Sequence, residues 1–258
     1  MCGRYSLFAP QNDVEARFGA SFVNGYQPRY NAAPSQSLSV IPDAAPETIR
    51  EAEWGLVPTW ADERSDGGHI NARAETVWET PSFEAAVRQI EDGETADDGT
   101  TDGAGKHGDT RWGPRDAGRC LVPADGFYEW GDTGAGRGPH RVEVDGGALF
   151  SMAGLWTRWT PANRQAGLAE FDGAAAGPTP RYTFTILTTT ANPTLEPLHD
   201  RMPVILAKGD ERRWLTADRE TATPLLEPFA GEMRSFPVSD AVNDPANDVP
   251  AVTKPLEG

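Results

Sequence analysis

Short runs of alternating or β-branched residues, each closed off by Gly, Pro or Asp, limit the fold of this chain more than any other feature. Residues 38–41 (LSVI), 141–144 (RVEV), 148–152 (ALFSM) and 182–188 (YTFTILT) have this character. A period of two sends successive side chains to opposite faces, so each run predicts a short strand with one face inward. Helical signals are fewer. Residues 83–90 follow Ser82 as N-cap, and shorter helices are expected over 12–18 and 210–215. The reading is a strand-dominated α+β domain, with no internal repeat and no Gly-rich phosphate loop after a strand.

A chain of 258 residues can bury a substantial core as a single domain, taken here as residues 1–258. Two stretches fall outside that core. Residues 91–118 carry eight acidic side chains and seven glycines, with no large apolar residue before Trp112, and residues 164–180 are rich in Ala, Gly and Pro. Neither buries enough surface to offset its ordering entropy, so both read as flexible surface insertions.

No basic region followed by an apolar run stands at the start, and no segment approaches the length of a membrane span. A soluble, cytoplasmic monomer without a membrane partner is expected. The chain has 39 acidic against 23 basic residues, with Lys only at 106, 208 and 254. Such an acidic balance suits concentrated salt, where a large net charge maintains solubility. It also opposes nucleic-acid binding, so any nucleic-acid site has to be a local arginine patch. The two cysteines, Cys2 and Cys120, are read as free thiols, and Cys120, followed by Leu121 and Val122, as a small buried hydrophobe. His69, His107, His140 and His199 are scattered, so neither a metal site nor a cofactor is expected.

Chemistry concentrates at Cys2. Removal of Met1, favoured before a small residue, leaves an α-amine of pKa about 7.7–8.0 beside a thiol of about 8.5. This 1,2-aminothiol can condense with an aldehyde: the amine forms an imine and the sulfur closes a five-membered thiazolidine. The plainer alternative is that Cys2 is an ordinary residue with Met1 retained.

The sequence resembles the SRAP (SOS-response-associated peptidase) family at several motifs in the family's order. These are Met1-Cys2-Gly3-Arg4-Tyr5, Arg29-Tyr30-Asn31-Ala32-Ala33-Pro34, Trp54-Gly55-Leu56-Val57-Pro58-Thr59-Trp60 and Asn71-Ala72-Arg73-Ala74-Glu75-Thr76. The later half adds residues 119–130 (RCLVPADGFYEW), Ala153-Gly154-Leu155-Trp156 and residues 199–206 (HDRMPVIL).

The resemblance implies a mainly antiparallel, barrel-like β core with a few short helices. It also implies recognition of abasic sites in single-stranded DNA and capture of the sugar aldehyde by Cys2 as a thiazolidine. A weaker lyase activity, in which the imine is followed by β-elimination at the 3′ phosphate, is compatible with this reading. Cys2 matches the nucleophile, Asn71 and Glu129 the polar pocket groups, and His199 the acid–base histidine. Arg73 and Arg201 match phosphate and sugar contacts, and Trp60 an aromatic packed on DNA.

The chemistry asks for such groups independently. Imine formation loses water, and Glu129, flanked by Phe127, Tyr128 and Trp130, has the surroundings to raise its pKa into a useful range. It also reads as a strand carboxylate facing water. His199 titrates near neutrality, or is a structural histidine before a strand. Asn71 can hold a hydroxyl or the amine without adding charge, or form a turn before a short helix. Arg4, Arg29, Arg73 and Arg201 would supply the positive strip, and Trp60 a stacking platform. Trp54, Trp130 and Trp156 are assigned to the core. Two other functions fit parts of the pattern. One is an N-terminal-nucleophile peptidase or amidase, the other a non-catalytic single-strand binding module.

Overall fold

The computed structural model describes residues 2–65, 67–88, 112, 115–132, 136–162 and 179–256. Fourteen strands are described in this part of the chain. The first six are β1 (Arg4–Leu7), β2 (Ser21–Phe22), β3 (Arg29–Ala32), β4 (Ser37–Pro42), β5 (Thr48–Trp54) and β6 (Asn71–Arg73). Then come β7 (Ala117–Ala124), β8 (Gly126–Asp132), β9 (Arg137–Val144), β10 (Phe150–Trp159) and β11 (Arg181–Thr190). The last are β12 (Arg201–Pro203), β13 (Ile205–Leu206) and β14 (Met233–Pro237). The described α-helices are α1 (Gln11–Phe18), α2 (Glu84–Val87), α3 (Glu211–Thr216) and α4 (Arg219–Ala222).

Five strands close on themselves in the order β5-β4-β7-β10-β11, the seam being the parallel pairing of β11 with β5. The other four ladders of the ring are antiparallel, and closure removes the free edges an open sheet would present. Because side chains alternate, one parity fills the interior: Val40, Trp54, Cys120, Val122, Met152, Trp156, Phe184 and Ile186 lie in one buried cluster. The other parity, including Ile41, Ile49, Leu121, Leu155 and Leu187, joins a second cluster with Val14 of α1, Val87 of α2 and Trp214 of α3. The helices thus cover the outside of the barrel.

A second sheet, ordered β14-β9-β8-β1-β3, lays Tyr5, Phe127 and Val142 onto the interior cluster. Its register depends on a buried ion pair. Arg141, 1 % exposed, donates from Nη2 to Asp125 Oδ1 (3.3 Å) and to the Asp125 carbonyl (3.0 Å), and from Nη1 to Ser6 Oγ (2.6 Å). Ser6 Oγ donates in turn to Asp125 Oδ1 (2.6 Å), and the Ala9 amide to Asp125 Oδ2 (3.0 Å). A charge withdrawn from water requires such full pairing. It ties β1 to β8 and β9 together.

The strand-dominated, barrel-like α+β fold is as expected, with differences at element ends. The helix expected over 83–90 is only Glu84–Val87; Phe83 rather than Ser82 occupies the N-cap position, without a capping hydrogen bond, and Arg88 is already extended. Residues 89–90 lie outside the described residues. The insertion drawn over 91–118 ends earlier: Trp112 is buried and stacks on Tyr182 (ring centroids 4.1 Å apart, 7° between planes), and Ala117 opens β7. The rest of that stretch through 111, and residues 164–178, lie outside the described residues. Cys120 is buried in the interior, as expected. Trp54 and Trp156 are core, whereas Trp130 is half-buried at the edge of a small cluster with Tyr30 and Val242 and donates its indole N–H to Asn243 Oδ1 (2.7 Å).

Removing one partner of the buried pair strands the other. Arg141→Ala is expected to lower stability by about 3–5 kcal/mol, read from the midpoint of a denaturant transition, because Asp125 then stays buried without its cation.

Candidate functional site

The ladder between β1 and β8 pairs Arg4 with Tyr128 and Tyr5 with Phe127. Cys2 and Gly3 precede β1 at the end of this ladder nearest Glu129, and the Cys2 thiol lies close enough to the Glu129 carboxylate to feel its charge. Both are enclosed, Cys2 at 0 % and Glu129 at 2 % exposure. Cys2 Sγ donates weakly to the Arg4 carbonyl (3.9 Å). Burial first, and the neighbouring Glu129 second, push the thiol far above its ordinary value, so its resting form is the protonated thiol. Burial also raises Glu129 to about 7, against the pull of the terminal ammonium group and Arg137. A carboxyl held there can give or take a proton near neutrality.

Gly131 shares a face of β8 with Glu129. A Cβ at Gly131 would overlap Leu198 Cδ2 and stand 3.0 Å from Leu198 Cα, so the turn before β12 rests directly on this strand. That turn is built on buried Leu195: the amides of Leu198 and His199 both donate to its carbonyl (2.8 and 2.9 Å). His199 is thereby brought to the Glu129 side of the sheet. Its pKa is lowered, by burial first and then by the terminal ammonium group, with Asp200 opposing and Arg137 and Arg201 adding to the lowering. The ammonium group of the chain with Met1 still attached acts on Cys2, Glu129 and His199 alike.

Asn71 begins β6, not a helix, and pairs with Ile186 in parallel register. Its Nδ2 donates to the Ile70 carbonyl (3.0 Å), while its Oδ1 is buried with no hydrogen-bond partner among the described residues. An enclosed acceptor left this way has room for one donor, an amine or a hydroxyl.

The four arginines are employed differently. Arg4 donates to Asn31 Oδ1 (2.9 Å) and to the carbonyls of Val242 and Asn243, and Arg29 pairs with Asp248 (3.2 Å). Both hold the C-terminal segment against β1 and β3. Arg201 is largely covered and forks onto both Glu75 carboxylate oxygens (2.5 and 2.9 Å). Arg73, on β6, is exposed beside Glu75.

Trp60, 66 % exposed, stands at the tip of the loop between β5 and β6. The base of that loop is tight. Leu56 and His69 exchange both backbone hydrogen bonds (3.0 and 2.9 Å), and Gly55 and Gly68, at φ +132° and +72°, pass so close that a Cβ on either would overlap the other strand of the loop. The Trp159 indole N–H donates to the Ala61 carbonyl (2.6 Å), and Thr157 Oγ1 to that of Val57 (2.7 Å). An exposed indole on so fixed a support is preorganised for stacking.

Sequence reading passed over Gly131, whose signal is a glycine inside a strand, a mark of close backbone approach. It also passed over His140, buried directly across from Glu129 in the β8–β9 ladder. Among the described residues no group of three or more His, Cys, Asp or Glu could hold a metal ion, and no helix is long and apolar enough to cross a membrane.

The profile of the SRAP family, SOS response associated peptidase, matches residues 1–91 and 113–245. Among curated relatives, the abasic site processing protein YoqW of Bacillus subtilis is 35 % identical over 261 residues, covering 97 % of each chain. The abasic site processing protein HMCES of Gallus gallus is 28 % identical over 268 residues, covering 90 % of this chain and 67 % of its own. A crystal structure of a Bacteroides thetaiotaomicron protein superposes with TM-score 0.74 at 23 % identity, covering 99 % of this chain and 100 % of that one, and supports the fold.

Two stability measurements follow from the geometry. Glu129 is raised from 4.5 to about 7, so its contribution is intact below about 4.5 and is lost as pH rises through 7. Glu129→Gln is therefore expected to be more stable than the parent well above neutrality, by on the order of 3 kcal/mol, with the difference vanishing in mild acid. Gly131→Ala is expected to cost about 1–3 kcal/mol by forcing the Leu198 turn away, seen as a lower denaturant midpoint.

Proposed function

Because the chain belongs to the SRAP family, we propose that it processes abasic sites in single-stranded DNA by covalent capture through Cys2, shielding the lesion. The observation that supports this reading is the enclosure of Cys2 beside a carboxyl that titrates at about 7. Relatives named for abasic site processing, similar along nearly the whole chain, point to the same substrate.

Once Met1 is removed, the Cys2 amine attacks C1′ of the ring-opened deoxyribose. Proton transfer within the adduct gives the carbinolamine. Glu129, neutral or charged near pH 7, supplies the proton that leaves with the hydroxyl as water, giving the iminium, and then accepts the thiol proton as sulfur bonds to C1′ and the iminium nitrogen becomes a neutral amine that keeps its hydrogen. That acceptor matters because the buried thiol holds its proton tightly. Asn71 Oδ1 accepts from the amine or a sugar hydroxyl, and His199 exchanges protons with the sugar oxygen. Arg73 and Arg201 contact the flanking phosphates, and Trp60 stacks on a neighbouring base. Arg4 and Arg29 serve by holding the C-terminal segment around β1 and β3. A protonated, enclosed thiol suits aldehyde capture better than amide hydrolysis by a thiolate.

Incubation with a single-stranded oligonucleotide carrying one abasic site is expected to give a denaturation-resistant adduct, seen on a denaturing gel and by intact mass. Cys2→Ser abolishes the stable adduct. Cys2→Ala, which keeps an amine, gives only a borohydride-trappable imine and strand nicking. An unchanged adduct in Cys2→Ser, or none in the parent protein, overturns the reading.

A further inference from the structure

Two groups compete for one nitrogen of His199. The Arg201 backbone N–H donates to Nδ1 at 2.9 Å, and a carboxylate oxygen of Asp200 lies 2.7 Å from the same atom. An imidazole nitrogen has one in-plane position, holding either a lone pair or a proton. A lone pair serves the Arg201 N–H and places the ring proton on Nε2. A proton at Nδ1 points to Asp200 and, in the neutral ring, leaves Nε2 as a base.

We propose that Asp200 is a positioning residue that selects the tautomer and charge state of His199, the Arg201 amide holding the resting Nε2–H form and Asp200 the form whose Nε2 exchanges protons. This deepens the aldehyde-capture reading and rests on it for the reaction itself.

The exchange is balanced. When the imidazolium gives its Nε2 proton to a sugar oxygen, the remaining proton stays on Nδ1 against Asp200, and Nε2 is ready to take a proton back. Without Asp200 the neutral ring reverts to the form held by Arg201, with no basic position at Nε2. The other charged groups acting on the ring are Arg137 from β9, Arg201 from its own segment and, before Met1 is removed, the terminal ammonium. The two arginines and the ammonium oppose protonation of His199, and Asp200 favours it. The Asp200 side chain is 85 % exposed, so its influence is open to screening by salt.

The tautomer can be read without DNA, from the ring 15N shifts of 15N-histidine-labelled full-length protein across a pH titration, in the parent, Asp200→Asn and Asp200→Glu. The expected result is a lower His199 titration midpoint in Asp200→Asn and a neutral ring shifted to Nε2–H. Asp200→Glu should restore the parent behaviour, and the parent–Asn difference should shrink in molar salt. With abasic oligonucleotide, Asp200→Asn is expected to slow adduct formation several-fold near neutral pH and move the pH–rate profile, with binding to intact single strands unchanged. Unaltered 15N shifts and midpoint in Asp200→Asn overturn the selection of the tautomer. Altered shifts with an unaltered pH–rate profile overturn its part in the reaction. Absence of adduct in the parent protein overturns aldehyde capture while leaving the tautomer measurement to stand.

Discussion

The pairing of Arg141 with Asp125 is the constraint on which the site depends. A guanidinium and a carboxylate removed from water must find each other and fill their remaining hydrogen-bonding positions. Here they do so through Ser6 of β1, the loop between β7 and β8, and β9. A one-residue slip of β1 would break this network and turn every side chain of the strand to the wrong face. The register so fixed carries the amino end of the chain to the end of β8 that holds Glu129.

Enclosure then determines the chemistry. The same removal from solvent that raises Glu129 towards neutrality makes the Cys2 thiol a poor acid. The two effects are complementary, since a thiol that keeps its proton needs a base beside it and a carboxyl made more basic can act as one. His199 is displaced in the opposite direction, towards its neutral form, because burial disfavours whichever state carries charge. Such opposite displacements of an acid and a base are what a proton-handling site would need.

The sequence showed the strand character plainly, because β4, β9, β10 and β11 carry period-two or β-branched runs with turn residues at their ends. Barrel closure was not readable from those runs. The parallel contact of Thr183 and Phe184 with Glu53 and Trp54 joins segments about 130 residues apart, and no local pattern announces it. Glu129 stood out through its aromatic neighbours, and burial follows from that context. The tasks of Arg4 and Arg29 were hidden for a different reason. An arginine looks the same in sequence whether its partner is a phosphate or a carbonyl near residue 242. The short helix at α2 likewise lacks the capping side chain that Ser82 would have supplied one position later.

Asn31 gathers the carbonyls of Val242, Asp244 and Asn247 onto its single amide nitrogen, Arg4 takes two carbonyls from the same stretch, and Asp248 receives the amides of Tyr30 and Asn31. The opening strands are thus completed by residues synthesised more than two hundred positions later. During synthesis these polar groups of β1 and β3 therefore stay unpaired until the chain near residue 242 has been made, so the last joining of the opening strands waits for the C-terminal segment.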